Sequence, residues 1–221
     1  MFNMSRFYDR LAEIKKLGEK SFTSIKVDDI VFTLRPIDDS NDTVRLVAQW
    51  REKYANNFFT KFQVTEKGTK KWIQEQVIKN PDRIQFLIIH DKRIIAQYGI
   101  SQYKKEENSV EPDYSIKGVK IKSQFLMEKM EKALMKWMFD DLNLSLLRMR
   151  LFSDNAKSLG WHEKCGMVTV NVLPIKRDFT KEGWEWKITK MDNEEDYPER
   201  YMTIMEMTKE DYLKKRKCWE V

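Results

Sequence analysis

The chain has 221 residues, and 34% of them are charged; 41 Lys and Arg against 35 Asp and Glu leave a net charge of +6. That length suits one generous domain, burying about 70% of the surface of its unfolded chain, and makes two full domains cramped. Two cysteines, Cys165 and Cys218, are too few for a disulfide framework or a thiolate metal site. The first ten residues are too charged for a secretory signal, and no run of about eighteen apolar residues offers a membrane span. The expectation is a cytoplasmic protein in a reducing compartment, with no metal and no membrane contact. The basic excess fits either a densely charged solvated surface or a patch for a phosphate-bearing ligand. No zinc-finger spacing, basic zipper or RNA-binding signature supports a nucleic acid partner.

Phe7, Leu11 and Ile14 recur at helical spacing, and Gly18 closes an amphipathic N-terminal helix. Ile30 to Pro36 reads as the first firm strand. Asp38 to Asp42 offers helix caps for a segment carrying Val44, Val47, Ala48, Trp50 and Arg51. The aromatic stretch Asn56 to Phe62 lacks a period and reads as a loop, either lining a pocket or simply core. Thr65 and Gly68 open a helix over 69–79, which Asn80-Pro81 ends. Gln85 to His90 and Arg93 to Tyr103 form a hairpin around Asp91-Lys92. Val110 to Val119 is a further strand, and 123–139 is a long helix with Phe125, Leu126, Met130, Leu134, Trp137 and Met138 on one face. An apolar strand from Leu146 ends at Phe152. Ser153 or Asp154 can cap the short helix that follows, and Gly166 suits a left-handed C-cap after Cys165. Val168 to Leu173 is extended, 176–182 is a charged loop, Trp184 to Ile188 follows it, and Arg200 to Met207 alternates as a strand. The lysine-rich end, Lys209 to Lys217, reads as a solvated helix. The economical division is an N-terminal helix and connector (1–29), one domain (30–208) and a basic tail (209–221). The fold class is α+β, with a central mixed, mostly antiparallel sheet flanked by helices.

The order of elements from Ile30 to Met207, with Asn155 and then Glu163-Lys164-Cys165-Gly166-Met167, resembles the acetyl-CoA-dependent N-acetyltransferase (GNAT) family. Leu34-Arg35-Pro36, Trp50-Arg51 and the Met-rich last strand followed by Lys209-Glu210-Asp211-Tyr212 are similar to its ribosomal-protein and amino-sugar N-acetyltransferase-like branch. The resemblance implies acetyl transfer from acetyl-CoA to a primary amine. The acceptor would be a small molecule or peptide: an amino sugar, a nucleotide-linked amino sugar, or a protein N-terminus. A non-catalytic module of the same fold, for interaction or acyl-CoA binding, is the alternative. Trp50, Arg51 and Phe59 are candidate substrate contacts.

The family's phosphate loop maps onto Ile116 to Gln124 and departs from the pattern, because only Gly118 remains of two glycines. Lys117, Lys120 and Lys122 can substitute charge for the lost backbone approach, with Ser123 at the helix entry. Asn155 matches the asparagine that contacts the cofactor, and it can equally cap the helix. His162 stands where the family places a tyrosine proton donor, a role open to histidine. Glu111 is the candidate base, with Asp113 and His90 as rivals. The N-terminal helix and the Met-rich strand are surfaces available to a homodimer.

Overall fold

The computed structural model of the protein describes residues 4–27, 29–121, 126–190 and 197–219. The elements in chain order begin with α1 (Met4–Lys15), β1 (Thr23–Val27), β2 (Ile30–Pro36), α2 (Asn41–Lys53), β3 (Thr60–Phe62) and α3 (Glu66–Trp72), which continues as a wider turn over Ile73–Ile78. Next come β4 (Ile84–His90), β5 (Arg93–Lys104), β6 (Ser109–Lys117), α4 (Leu126–Lys136, widening over Trp137–Asp141), β7 (Leu146–Phe152) and α5 (Ala156–Lys164). The chain ends with β8 (Val168–Phe179), β9 (Gly183–Ile188), β10 (Arg200–Thr208) and α6 (Lys209–Lys215). The strands form one ten-stranded sheet in the order β1-β2-β4-β5-β6-β7-β10-β8-β9-β3. Its neighbours are antiparallel except for β6 with β7, which is the α+β arrangement the sequence implies.

Local chemistry explains most boundaries. Ser40 caps α2 by accepting from Thr43 N–H, and Thr65 caps α3 by accepting from Gly68 N–H at 3.0 Å. The β4–β5 hairpin turns through Asp91 and Lys92, both at positive φ (47° and 62°), the primed geometry that matches strand twist. One expectation is corrected. The charged stretch Lys176 to Phe179 is strand rather than loop, because β8 runs on to pair with β9. Lys187 there meets both Asp178 and Glu185 across and along the ladder.

Side chains alternate across the sheet, so each strand feeds two cores. On one face Phe86, Ile88, Ala96, Tyr98, Ile100, Val110, Leu147 and Met149 pack with Leu126, Met130, Leu134 and Met138 of α4. The apolar stripe of α1 (Phe7, Leu11, Ile14) joins the same core, each such residue contributing roughly 1.5–3 kcal/mol of burial. The end of the chain joins it too, since Tyr212 of α6 is fully buried, stacks on Phe139 at 4.6 Å and donates to Asp140 at 2.9 Å. On the other face Leu87 packs with Val44 and Val47 of α2 and Ile73 and Val77 of α3.

Candidate active site

The single parallel contact in the sheet is short. Ser109 pairs with Leu146 and Val110 with Leu147, and no further pairs follow although the strands run on to Lys117 and Phe152. Parallel strands that part in this way leave backbone groups facing a wedge rather than each other. Glu111, the carboxylate expected to act as base, spans that wedge. Its oxygens accept from Arg150 Nε at 3.0 and 3.1 Å and from Nη2 at 2.8 Å, a fork-to-fork pair.

On its other side β6 carries a bulge. Gly99 faces Asp113 and Gln97 faces Ile116, so Tyr114 and Ser115 together oppose one residue of β5, and Tyr114 takes φ 51°. The bulge sends Tyr114 to the α2/α3 face, where its ring packs 4.8 Å from Trp72 and 5.5 Å from Phe58. Asp113 lies on the same face, with Arg83 Nη2 3.6 Å from its carboxylate. Burial pushes the Asp113 carboxyl up to about 6, against the pull of Arg83. Burial, then the Asp113 charge, pushes the Tyr114 phenol up to about 12. Asp113, second to Glu111 in the sequence reading, is thus the carboxylate poised to exchange a proton near neutral pH.

The expected substrate contacts separate. Arg51 is buried; its Nη2 donates to the Thr60 carbonyl at 2.6 Å and its guanidinium lies 3.8 Å above the Phe58 ring. Phe59 packs 4.5 Å from Phe152, with the Arg150 guanidinium 5.9 Å from its ring. Phe58 and Phe59 belong to the segment between α2 and α3 that reaches across this face, because β3 within it pairs with β9 at the far edge of the sheet, whereas Arg51 stands in the last turn of α2. Trp50 instead turns into the fold, 4% exposed, and packs against Gly118; a Cβ on that glycine would come within 1.8 Å of the indole.

Gly118 therefore makes room for Trp50. Its N–H and that of Val119 both donate to the Ile95 carbonyl at 3.0 Å, so neither is directed at a phosphate. Ile116 is buried in the ladder opposite Gln97, and Tyr54 O–H donates to the Lys117 carbonyl at 3.1 Å. Lys120 is exposed; Lys122 and Ser123 lie outside the described residues, as does Phe125. Lys117 sits at the β6 wall of the wedge and Lys157 in the first turn of α5. Burial, then the like charge of Lys157, draws the Lys117 ammonium below its ordinary range. Two mutually repelling ammoniums on opposite walls suit an anionic ligand between them.

On the α4/α5 face Asn155 caps α5 by accepting from Ser158 N–H at 3.3 Å. His162 points into the core and is 5% exposed; its ring stacks on Trp161 at 4.3 Å and its Nδ1 lies 2.9 Å from both oxygens of Glu131. Glu131 had no place in the sequence reading. The signal was available, because it stands beside Met130 and one turn before Leu134 and Met135 on the buried stripe of α4. Among the described residues no group of three or more His, Cys, Asp or Glu side chains is arranged to hold a metal. No helix among the described residues is long and apolar enough to cross a membrane.

A wedge between parting parallel strands, with Lys117 and Lys157 near it and the titratable Asp113 on the α2/α3 face of β6, suits a long anionic thioester and an amine. The family model for the acetyltransferase (GNAT) domain matches residues 32–168, and the chain belongs to that family. It is an acetyl-CoA-dependent acetyltransferase that acts on an amine. Among solved structures it is similar to the spermidine N-acetyltransferase from Vibrio cholerae in complex with CoA and spermine, at 14% identity and TM-score 0.65 over 82% of this chain and 98% of that one. It is similar also to the dodecameric structure of that enzyme in an intermediate state (14%, TM-score 0.60, 82% and 96%) and to a point mutant of it (15%, TM-score 0.62, 84% and 98%). Comparison with the curated proteins gives no match.

Proposed function

We propose that acetyl transfer runs across the sheet, with the acceptor amine entering from the α2/α3 face and the thiol leaving towards α4 and α5. The observation that carries this reading is the parting of β6 and β7 after two residue pairs, beside a bulge that brings Asp113 and Tyr114 to one face. Acetyl-CoA supplies an activated acyl carbon and a thiolate leaving group. Lys117 and Lys157 hold its phosphates as point charges. Asp113, rather than Glu111, takes the proton from the ammonium so that nitrogen can attack. Glu111 and Arg150 brace the wedge. His162 protonates the departing sulfur from Nε2.

The acceptor face carries the rings of Phe58, Trp72 and Tyr114 with two guanidiniums, Arg51 over Phe58 and Arg83 beside Trp72 and the Asp113 carboxylate. Rings and guanidiniums favour an amine attached to a planar or sugar ring and an anionic group, as in a nucleotide-linked amino sugar, the acceptor class of the amino-sugar branch. A polyamine is the second reading, supported by the likeness to spermidine N-acetyltransferases and by Asp113 as an ammonium partner. Thiol release from acetyl-CoA, measured with a nucleotide-linked amino sugar, a free hexosamine, spermidine and a short peptide, decides between them. The highest kcat/KM is expected for the nucleotide-linked sugar. Preference for spermidine by tenfold or more would replace the first reading with the second, and absence of thiol release with every amine would end both.

A further inference from the structure

Glu131 is fully buried, and the Nδ1 of His162 lies 2.9 Å from each of its carboxylate oxygens. The other neighbouring groups offer the carboxylate no countercharge. The Tyr98 hydroxyl is raised well above its ordinary range by burial and then by the Glu131 charge, and the Cys165 thiol is raised by the same two causes. Ser115 brings only a hydroxyl. The ammonium that acts on Cys165, Lys132, is bonded to Glu128 at 2.7 Å. The imidazole is therefore the one group bonded to Glu131 that can carry a compensating positive charge, and a buried carboxylate without one is strongly disfavoured. An ionised carboxylate only accepts, so Nδ1 bears hydrogen. Nε2 is left without a protein partner among the described residues, and the residue keeps a small exposure, 5%.

We infer that Glu131 is a positioning residue for the acid step: it fixes His162 with hydrogen on Nδ1 and balances the imidazolium, so that Nε2 is the nitrogen that serves the leaving sulfur. This rests on the proposed role of His162. The amine lone pair forms the N–C bond and the C–S bond breaks with its electron pair going to sulfur. Sulfur takes the Nε2 proton; Asp113 holds the proton it took from the ammonium before attack and returns it to water, the second proton that nitrogen sheds on becoming the amide also goes to water, and Glu131 stays ionised throughout. The ring regains its proton from water before the next turnover.

The chain has two histidines, so nitrogen NMR of uniformly labelled protein resolves both, and a His90→Gln variant assigns them. Neutral His162 is expected as the Nδ1–H tautomer, a state read without any cosubstrate. In Glu131→Gln the amide can present either oxygen or NH2 to Nδ1, so the tautomer preference is expected to be lost. With it kcat should fall at least tenfold while the acetyl-CoA KM stays within twofold and the His90 signal is unmoved. Glu131→Asp, which keeps the charge, should retain the tautomer and recover part of kcat. An Nε2–H tautomer in the unaltered protein, or a Glu131→Gln variant with undiminished kcat, overturns the inference and leaves the proposed function standing. Failure of the unaltered protein to acetylate any amine overturns that function, and the inference with it.

Discussion

The two faces of the central strands solve the same problem in opposite ways. Facing α2 and α3, Asp113 is shielded by rings but shared with Arg83, and 22% of its side chain remains open, so it can exchange protons with an incoming amine. Facing α4 and α5, Glu131 is sealed off with His162, the one group bonded to it that can carry a positive charge. A carboxylate that must change protonation state sits where water and substrate reach it. One that must stay ionised sits where only its partner can. Depth, not residue type, separates the two proposed roles.

The strongest way to break this contrast is Asp113→Asn. A base of this kind contributes about 10²–10⁴-fold, so a loss of kcat of that order is expected with little change in the acetyl-CoA KM; a kcat within threefold of the parent would remove the base from this face. The pH profile sharpens the point. Asp113 must be ionised to act, so kcat/KM should rise through about pH 6 and the limb should vanish in the variant. Stability has the opposite sign. A carboxyl whose folded value lies above its unfolded one costs the folded state stability, a loss that grows from about pH 4 and is complete above about pH 6. Asp113→Asn should therefore be more stable than the parent at pH 7.5, by up to about 3 kcal/mol, an advantage that closes below about pH 4 where both states are protonated; thermal melts at the two pH values check it.

On the sealed face His162→Ala is expected to lower kcat by about ten- to a hundredfold, and steady-state kinetics with retained acetyl-CoA KM would separate this from general damage. Gly118→Ala should destabilise the fold by about 1–3 kcal/mol, read as a lower Tm, because Trp50 has to vacate its place; an unchanged Tm would show that the indole is not held there. Replacing Lys117 and Lys157 together by Gln is expected to raise the acetyl-CoA KM about tenfold and flatten its dependence on salt. A KM unchanged at low salt would take the phosphates away from this pair. The smallest effect belongs to Glu111→Gln. Its partner Arg150 is 41% exposed, and such a pair contributes about 0.5–1 kcal/mol, so kcat within threefold is expected; a loss as large as that of Asp113→Asn would restore Glu111 as the base.

How much of this was legible follows the range of the interactions. The hairpin at Asp91-Lys92, the caps at Ser40 and Thr65 and the short helix ending at Gly166 are local events, and their residues announce them. The bulge at Tyr114 is not, since a bulky residue at positive φ is held there by ladders to neighbouring strands rather than by its own preference. The charged run at Lys176 to Phe179 hides a strand because it is held by pairing with β9 while Arg177 to Phe179 stay exposed, so no buried apolar face marks it. Gly118 invited a reading as a phosphate glycine, while its neighbour in space, Trp50, lies 68 positions back in the chain (118 − 50). Glu131 looked like any helix-surface glutamate until the stripe around it was seen to be buried.

The short ladder of β3 against β9 has a consequence for how the enzyme is wired. Thr60, Lys61 and Phe62 cross to Glu185, Trp184 and Gly183, and the approach is so close that a Cβ on Gly183 would lie 1.9 Å from the Lys61 carbonyl oxygen. The loop that carries Phe58 and Phe59 is thus stitched at one end to α2 and at the other to the outermost hairpin, like a bridge resting on two banks. Acceptor selectivity is then open to tuning from the rim of the sheet, by changes that never touch the substrate.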